Sequence, residues 1–364
     1  MFQLTSLKNW NPFKLDALGI VTLLGAEEVG FAFGRLTNNH FSVFLPTVGA
    51  YVFAANSHAT PIQGFQVYNI TECIYTTDVP GWFSRWLLSQ NVKTNATKYD
   101  VSYRDTSRPN PGFQSLLSIS LGFIAHAPII VLSVLIWDWW GFANGVLMAM
   151  STLSRYIIVE RTKRVLDNKA TEGWEWQDGN VINKTLWILR SGEAVAIRAP
   201  RGLLINCLLT NPVAEGSVQY ATRAIAWLSF GGFAVTLGMA TLFIQILVVI
   251  LVLSCTCIAV WHIGDDNNII GTRMEMKRSE DHEDSNTRAE AYGRLELSCE
   301  EEEAMLHWSL FPRRTNRRWW ECYQQCKDKG PGGFKDWRDV LANYAKNGTP
   351  GTTVVEDHLQ PVPS

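Results

Sequence analysis

Between Arg223 and Asp265 the chain carries no Asp, Glu, Lys or Arg. A single helix over that stretch would be roughly 60 Å long at about 1.5 Å per residue. The hydrocarbon core of a bilayer is about 30 Å thick. The block therefore reads as two membrane spans, 224–241 and 244–262, joined by a tight turn near Met239–Thr241. Trp227 and Trp261 fall near the ends that return to one side, where indole prefers the membrane interface.

Two further pairs follow the same logic. Residues 115–136 are apolar apart from His126 and a few hydroxyls, and 139–158 carry one late charge, Arg155. Trp137, Asp138, Trp139 and Trp140 form the turn between them, and three indoles around one carboxylate suit an interface. Residues 16–34 are apolar except for Glu27 and Glu28, and 41–56 are apolar but short. They read as two spans divided by Arg35–His40, or as one span at 41–56 preceded by an interfacial segment. Glu27 and Glu28 interrupt the region where a signal-peptide cleavage site would lie.

Average composition hides this pattern. Mean hydropathy is −0.01 and net charge −2, values ordinary for a soluble chain that suggest no nucleic-acid partner. Seven cysteines are scattered, with Cys73 alone in 57–114, which points to a reducing compartment. Lys8, Lys14, Arg161, Lys163, Arg164, Arg223, Arg273, Lys277 and Arg278 flank the spans on one side, and the turns at 137–140 and 239–243 contain neither Lys nor Arg. By the positive-inside rule both termini and both long loops are cytosolic. Sequons at Asn69, Asn95, Asn183 and Asn347 compete with that assignment, but a three-residue pattern arises readily by chance.

The expected architecture is thus an all-α membrane bundle of about six transmembrane helices in three hairpins, with a small β meander and a helical cytosolic tail. Its parts are an N-terminal hairpin (1–56), a polar loop (57–114) with Trp82, Phe83 and Trp86 against the membrane, a second hairpin (115–158), a soluble loop (159–223), a third hairpin (224–263) and a partly helical, partly disordered tail (264–364). Turn residues at Ser191–Gly192–Glu193 and Pro200–Arg201–Gly202 predict a three-stranded meander within 185–209. Asp265–Asn286 reads as flexible. Ser298 and Glu301 form a capping-box pattern before an acidic helix, and further helices are predicted over 316–328 and 334–346.

The usual catalytic signatures are missing: there is no phosphate-binding loop, HExxH, G-x-S-x-G or dinucleotide fingerprint. No cofactor or metal is implied. Cys322, Cys326 and His307 lack an evident fourth zinc ligand. Glu27, Glu28 and His126 form a candidate intramembrane site, because ionisable groups at that depth usually face a bundle interior or a water-filled path; the plainer reading is a helix end and an interhelical hydrogen bond. Gly30 and Gly34, Gly141, Gly145 and Ala149, and Ala234 and Gly238 are small-residue ladders that allow close helix packing, within one chain or in a homo-oligomer. Arg313, Arg314, Arg317, Arg318, Trp319 and Trp320 make a basic-aromatic patch, suited to anionic lipid or a partner or to the acidic run Glu300–Glu303.

GAEEVGFAFGRL at 25–36, DWWGFANG at 138–145 and EEEEAMLHWSLFPRRTNRRWW at 300–320 resemble uncharacterised multi-span integral membrane proteins of filamentous fungi. The resemblance implies a eukaryotic membrane location and brings no activity. The function these readings favour is a non-enzymatic membrane scaffold or recruitment protein, its partners the bilayer and a cytosolic protein or anionic lipid met through the tail. The alternative is a transporter or channel component using Glu27, Glu28 and His126.

Overall fold

The computed structural model of the chain describes residues 26–39, 42–47, 50–92, 97–105, 113–261, 265–279, 292, 295–330, 333–337 and 339–342. In chain order its elements are α1 (Ala26–Gly34), β1 (Thr37–Asn39), α2 (Ala50–Ala54), β2 (Gln66–Asn69), β3 (Ile74–Thr76), α3 (Gly81–Ser89), β4 (Lys98–Tyr103), α4 (Phe113–Leu135), α5 (Trp139–Glu175), β5 (Ile182–Ile188), β6 (Ala194–Pro200), α6 (Ser217–Met239), α7 (Leu242–Val260), β7 (Asp265–Ile270), β8 (Met274–Ser279), α8 (Cys299–His307) and α9 (Arg317–Asp328).

The fold is not an all-α bundle of six spans. Among the described residues an eight-stranded mixed sheet runs β1-β7-β8-β4-β6-β5-β2-β3. Three helices are long and apolar enough to cross a membrane: Leu116–Leu135, Trp139–Glu175 and Leu242–Val260. The α6 helix pairs with α7 across a turn at Ala240–Thr241, as the uncharged block predicts, but is less apolar.

The second span expected in the N-terminal block, 41–56, is not present as one helix for a physical reason: its apolar residues are used to build a protein core. Residues 42–47 form turns and bends, and α2 has five residues, far short of a bilayer crossing; of the first expected span the described part is α1. Val29, Phe33, Val52 and Phe53 are all core residues. The first half of the expected first span, up to residue 25, lies outside the described residues, as do Lys8 and Lys14.

The polar loop expected over 57–114 contains β2, β3, α3 and β4, and Trp82, Phe83 and Trp86 are buried in protein instead of lying on a membrane. The expected three-stranded meander is a two-stranded hairpin, β5–β6, inside the larger sheet; after Pro200 the chain turns helical over Arg201–Leu203 and π-helical over Leu204–Leu208. The charged stretch expected to be flexible carries, over its first part, the hairpin β7–β8, whose turn uses Gly271 at φ +57. That is a left-handed backbone which glycine adopts without strain.

Alternation builds the sheet into a middle layer. In β6, Val195, Ile197 and Ala199 face a large core with Trp82, Phe83, Trp86, Leu166 and Ala170. Ala194 and Ala196 face a second core with Tyr292, Met305, Phe311, Tyr323 and Trp337. Side chains of successive strand residues point to opposite faces, so one strand serves both. Helices α8 and α9 of the tail cover the second face. The predicted capping box at Ser298 and Glu301 is present, and α9 matches the helix predicted at 316–328 within one residue. The helix expected over 334–346 begins as a 3-10 turn at Gly333–Asp336; beyond residue 342 the tail, with Asn347, lies outside the described residues.

Helix α5 joins bundle and sheet. Its 37 residues span about 55 Å at 1.5 Å per residue, well beyond one bilayer core. Its exposed large apolar residues run from Trp139 to Leu153, and farther along Leu166 and Ala170 enter the core beneath the sheet. There the Asp167 carboxylate accepts from the Thr272 and Arg273 amides at 2.8 and 3.2 Å and from the Thr272 hydroxyl at 2.8 Å. At the other end of the bundle Asp138 caps α5 through the Gly141 amide (3.0 Å) and also accepts from the Thr241 amide (2.7 Å) at the start of α7. Two helix N-termini thus face one buried carboxylate, the charge their dipoles favour.

Candidate functional site

Between 32 and 60 the described chain is a series of short elements joined by turns, with 42–47 non-helical, and buried carbonyls need donors. Cationic side chains supply several of them. Lys163 donates to Thr37 O at 2.6 Å. Arg223 donates through Nε to Ala54 O at 2.7 Å. Arg85 donates to Thr60 O, Gly81 O and Ser57 O at 2.7, 2.8 and 3.0 Å. Arg35, wholly buried, donates to Ala32 O and to the Asn267 side chain.

Arg155, on α5, is buried as well. Nη2 donates to Val43 O and Leu45 O, both at 2.8 Å, and Nη1 to the Thr47 hydroxyl. The guanidinium lies 4.4 Å from the centre of the Phe33 ring, within cation–π range. It holds residues 42–47 as a non-helical segment wedged into the bundle. Phe44 packs on Tyr156, and Leu45 packs with Ala125 and Cys255. A Cβ on Gly122 would stand 2.5 Å from the Phe44 Cβ, so the wedge requires glycine there. Buried irregular backbone needs protein partners for its polar groups, and Arg155 supplies them for two carbonyls at once.

His126 sits beside the wedge. Its Nδ1 is 2.7 Å from Gly122 O and its Nε2 is 3.4 Å from the Thr152 hydroxyl. The charged group within its electrostatic reach is Arg155. Glu27 and Glu28 are exposed on the first turn of α1, and Glu27 is within reach of Arg85. The described contacts therefore associate His126 with one arginine and Glu27 with another.

A second imidazole is more isolated. His58 is 1% exposed and packs on Phe53 with ring centres 5.0 Å apart. The Val52 carbonyl lies nearby, yet neither ring nitrogen makes a hydrogen bond of ordinary geometry with a described residue. Burial, followed by the charge of Arg85 and more weakly that of Arg223, pulls its pKa from 6.5 down to about 4. Burial likewise lowers Arg85 and pushes the Cys207 thiol up to about 12, leaving that cysteine an inert core residue.

The small residues divide. Added Cβ atoms at Gly30, Gly34, Gly141 and Gly145 would meet Val52, Arg85, Ser133 and Ile130 at 2.7–2.9 Å. Ala149 and Ala234 are half-buried, and Gly238 opens to free space. In the tail, Arg314 lies 3.7 Å from the Glu302 carboxylate and over the Trp320 ring, and Arg318 donates to Leu341 O. Trp319 and Trp320 pack with Phe311 and Tyr323, while Arg313 and Arg317 are exposed.

Arg155 is visible in the sequence as the lone charge in the apolar stretch 139–158, though not among the candidate site residues read from it. Arg35, Arg85 and His58 gave no comparable signal, because their burial depends on elements distant in sequence. No group of His, Cys, Asp and Glu suited to a metal occurs among the described residues. No protein family, curated protein or solved structure matches the chain.

Proposed function

We propose that the chain is a multi-pass integral membrane protein that fixes an α/β domain against the cytosolic face and acts there as a non-enzymatic scaffold. One observation carries the reading. Strand β4 precedes α4, β5 and β6 lie between α5 and α6, and β7 and β8 follow α7, yet all belong to one sheet. Each helical pair must therefore leave the sheet and return to it. If α4, α5 and α7 cross the bilayer, α6 crosses with them. The exposed apolar side chains support this, since Phe123, Ile124, Leu153, Leu228, Val235 and Ile250 lie on these four helices.

The basic residues around the sheet end favour the cytosol. Asn69 and Asn183 are 2% and 1% exposed within the sheet, so the folded domain has no room for glycans on them. The transporter alternative draws less support, because Glu27 and Glu28 are exposed on α1 while His126 is buried beside Arg155.

The test is topology and extraction of the full chain in intact membranes. The reading expects resistance to alkaline carbonate, and labelling of exposed Cys73 and Cys299 by an impermeant maleimide from the cytosolic side alone. Release by carbonate, or labelling from the opposite side, overturns it. For the scaffold role, a stoichiometric partner should be lost when Arg313 and Arg317 are changed to Glu with membrane insertion intact. Ion or solute flux in proteoliposomes, with no such partner, would favour the transporter.

A further inference from the structure

We infer that α6 carries a binding site for the phosphate of an anionic phospholipid, centred on Arg223; this rests on the membrane reading above. Tyr220, Arg223 and Trp227 are spaced i, i+3 and i+7 and so share one helix face. Tyr220 and Trp227 are 65% and 48% exposed. From Met239 at the far end, Tyr220 is about 29 Å away and Arg223 about 24 Å, at 1.5 Å per residue. In a core about 30 Å thick the tyrosine reaches the interface, and the arginine can extend its head there. An aromatic ring at the level of Tyr220 flanks lipid headgroups, and Trp227, about 18 Å from Met239 on the same scale, lies deeper on the same face, where it meets the lipid's acyl chains.

The guanidinium is anchored and underused. Nε is committed to Ala54 O, which fixes the plane of the group, while the terminal nitrogens make no hydrogen bond to a described residue. A planar fork of donors matches phosphate oxygens. Arg85 has Glu27 within reach, whereas Arg223 makes no ion pair among the described residues. Within its electrostatic reach lies His58, buried and with both ring nitrogens lacking a well-formed hydrogen bond among the described residues. Arg223, a cation with no ion pair among the described residues, calls for a counter-charge in a low-dielectric setting, and the lipid phosphate is an anion available at that depth.

Native mass spectrometry of the detergent-solubilised full chain, titrated with phosphatidic acid, phosphatidylcholine or inorganic phosphate, tests this. Phosphatidic acid should be retained best. Arg223→Gln should weaken it at least tenfold, Arg223→Lys less, and Trp227→Ala several-fold, with Lys329→Gln, exposed in the tail outside the basic-aromatic patch, unchanged. Tyr220→Ala and Trp227→Ala leave the Ala54 bond in place, so they remain informative if Arg223→Gln fails to fold. Retention unchanged in both aromatic variants overturns the site, as does inorganic phosphate binding as tightly as the lipid. If the site fails while the chain still resists carbonate, the membrane reading stands without it.

Discussion

Replacing Arg155 with Met isolates the role of the wedge at 42–47. The substitution leaves the carbonyls of Val43 and Leu45 without their 2.8 Å donors. A buried carbonyl left unpaired costs about 1–3 kcal/mol, so the wedge should lose about 2–6 kcal/mol. Every 1.4 kcal/mol is about tenfold in an equilibrium constant. Even the lower figure raises the population of the released wedge about 30-fold. The protein contains its own reporter, because Leu45 packs over Cys255, which is 4% exposed. In a variant retaining Cys255 as its single cysteine, Arg155→Met should speed N-ethylmaleimide labelling about 30-fold or more, with Arg155→Lys intermediate. Unchanged labelling together with an unchanged Tm would show that the wedge is held by its apolar contacts and that the arginine is not its clamp.

Three further outcomes follow from named contacts. His58 has a folded pKa of about 4 against an ordinary 6.5, so the unfolded chain takes up the proton first as pH falls. Stability should therefore drop by about 3 kcal/mol between about pH 6.5 and 4, and denaturation curves of His58→Gln should lack that part of the slope. Asp138→Ala strands the Gly141 and Thr241 amides and should destabilise by about 2–4 kcal/mol in detergent melts, with Asp138→Asn milder. A Cβ on Gly202 would stand 1.8 Å from Gly173 O, so Gly202→Ala should cost about 3 kcal/mol or more. Gly231→Ala, with nothing within 4 Å, should leave Tm unchanged within a degree or two.

The sequence alone determined the local and the periodic. The uncharged block 224–264 defined α6 and α7, the break around Trp137 and Asp138 defined the α4–α5 hairpin, with Trp139 and Trp140 already in α5, and Ser298 with Glu301 defined the start of α8, because a hydropathy block or a cap is written in adjacent residues. Only tertiary structure decided the sheet. Its strands are three to seven residues long, drawn from segments before, between and after the helical pairs, and no window of sequence contains a pairing such as β4 with β6. The same holds for the N-terminal block. Val29, Phe33, Val52 and Phe53 are as apolar as lipid-facing residues, and hydropathy cannot tell a side chain buried in protein from one facing a bilayer. Their neighbours settle the difference, and with it the placement of Arg155, Arg85 and Arg223 around the carbonyls of one irregular segment.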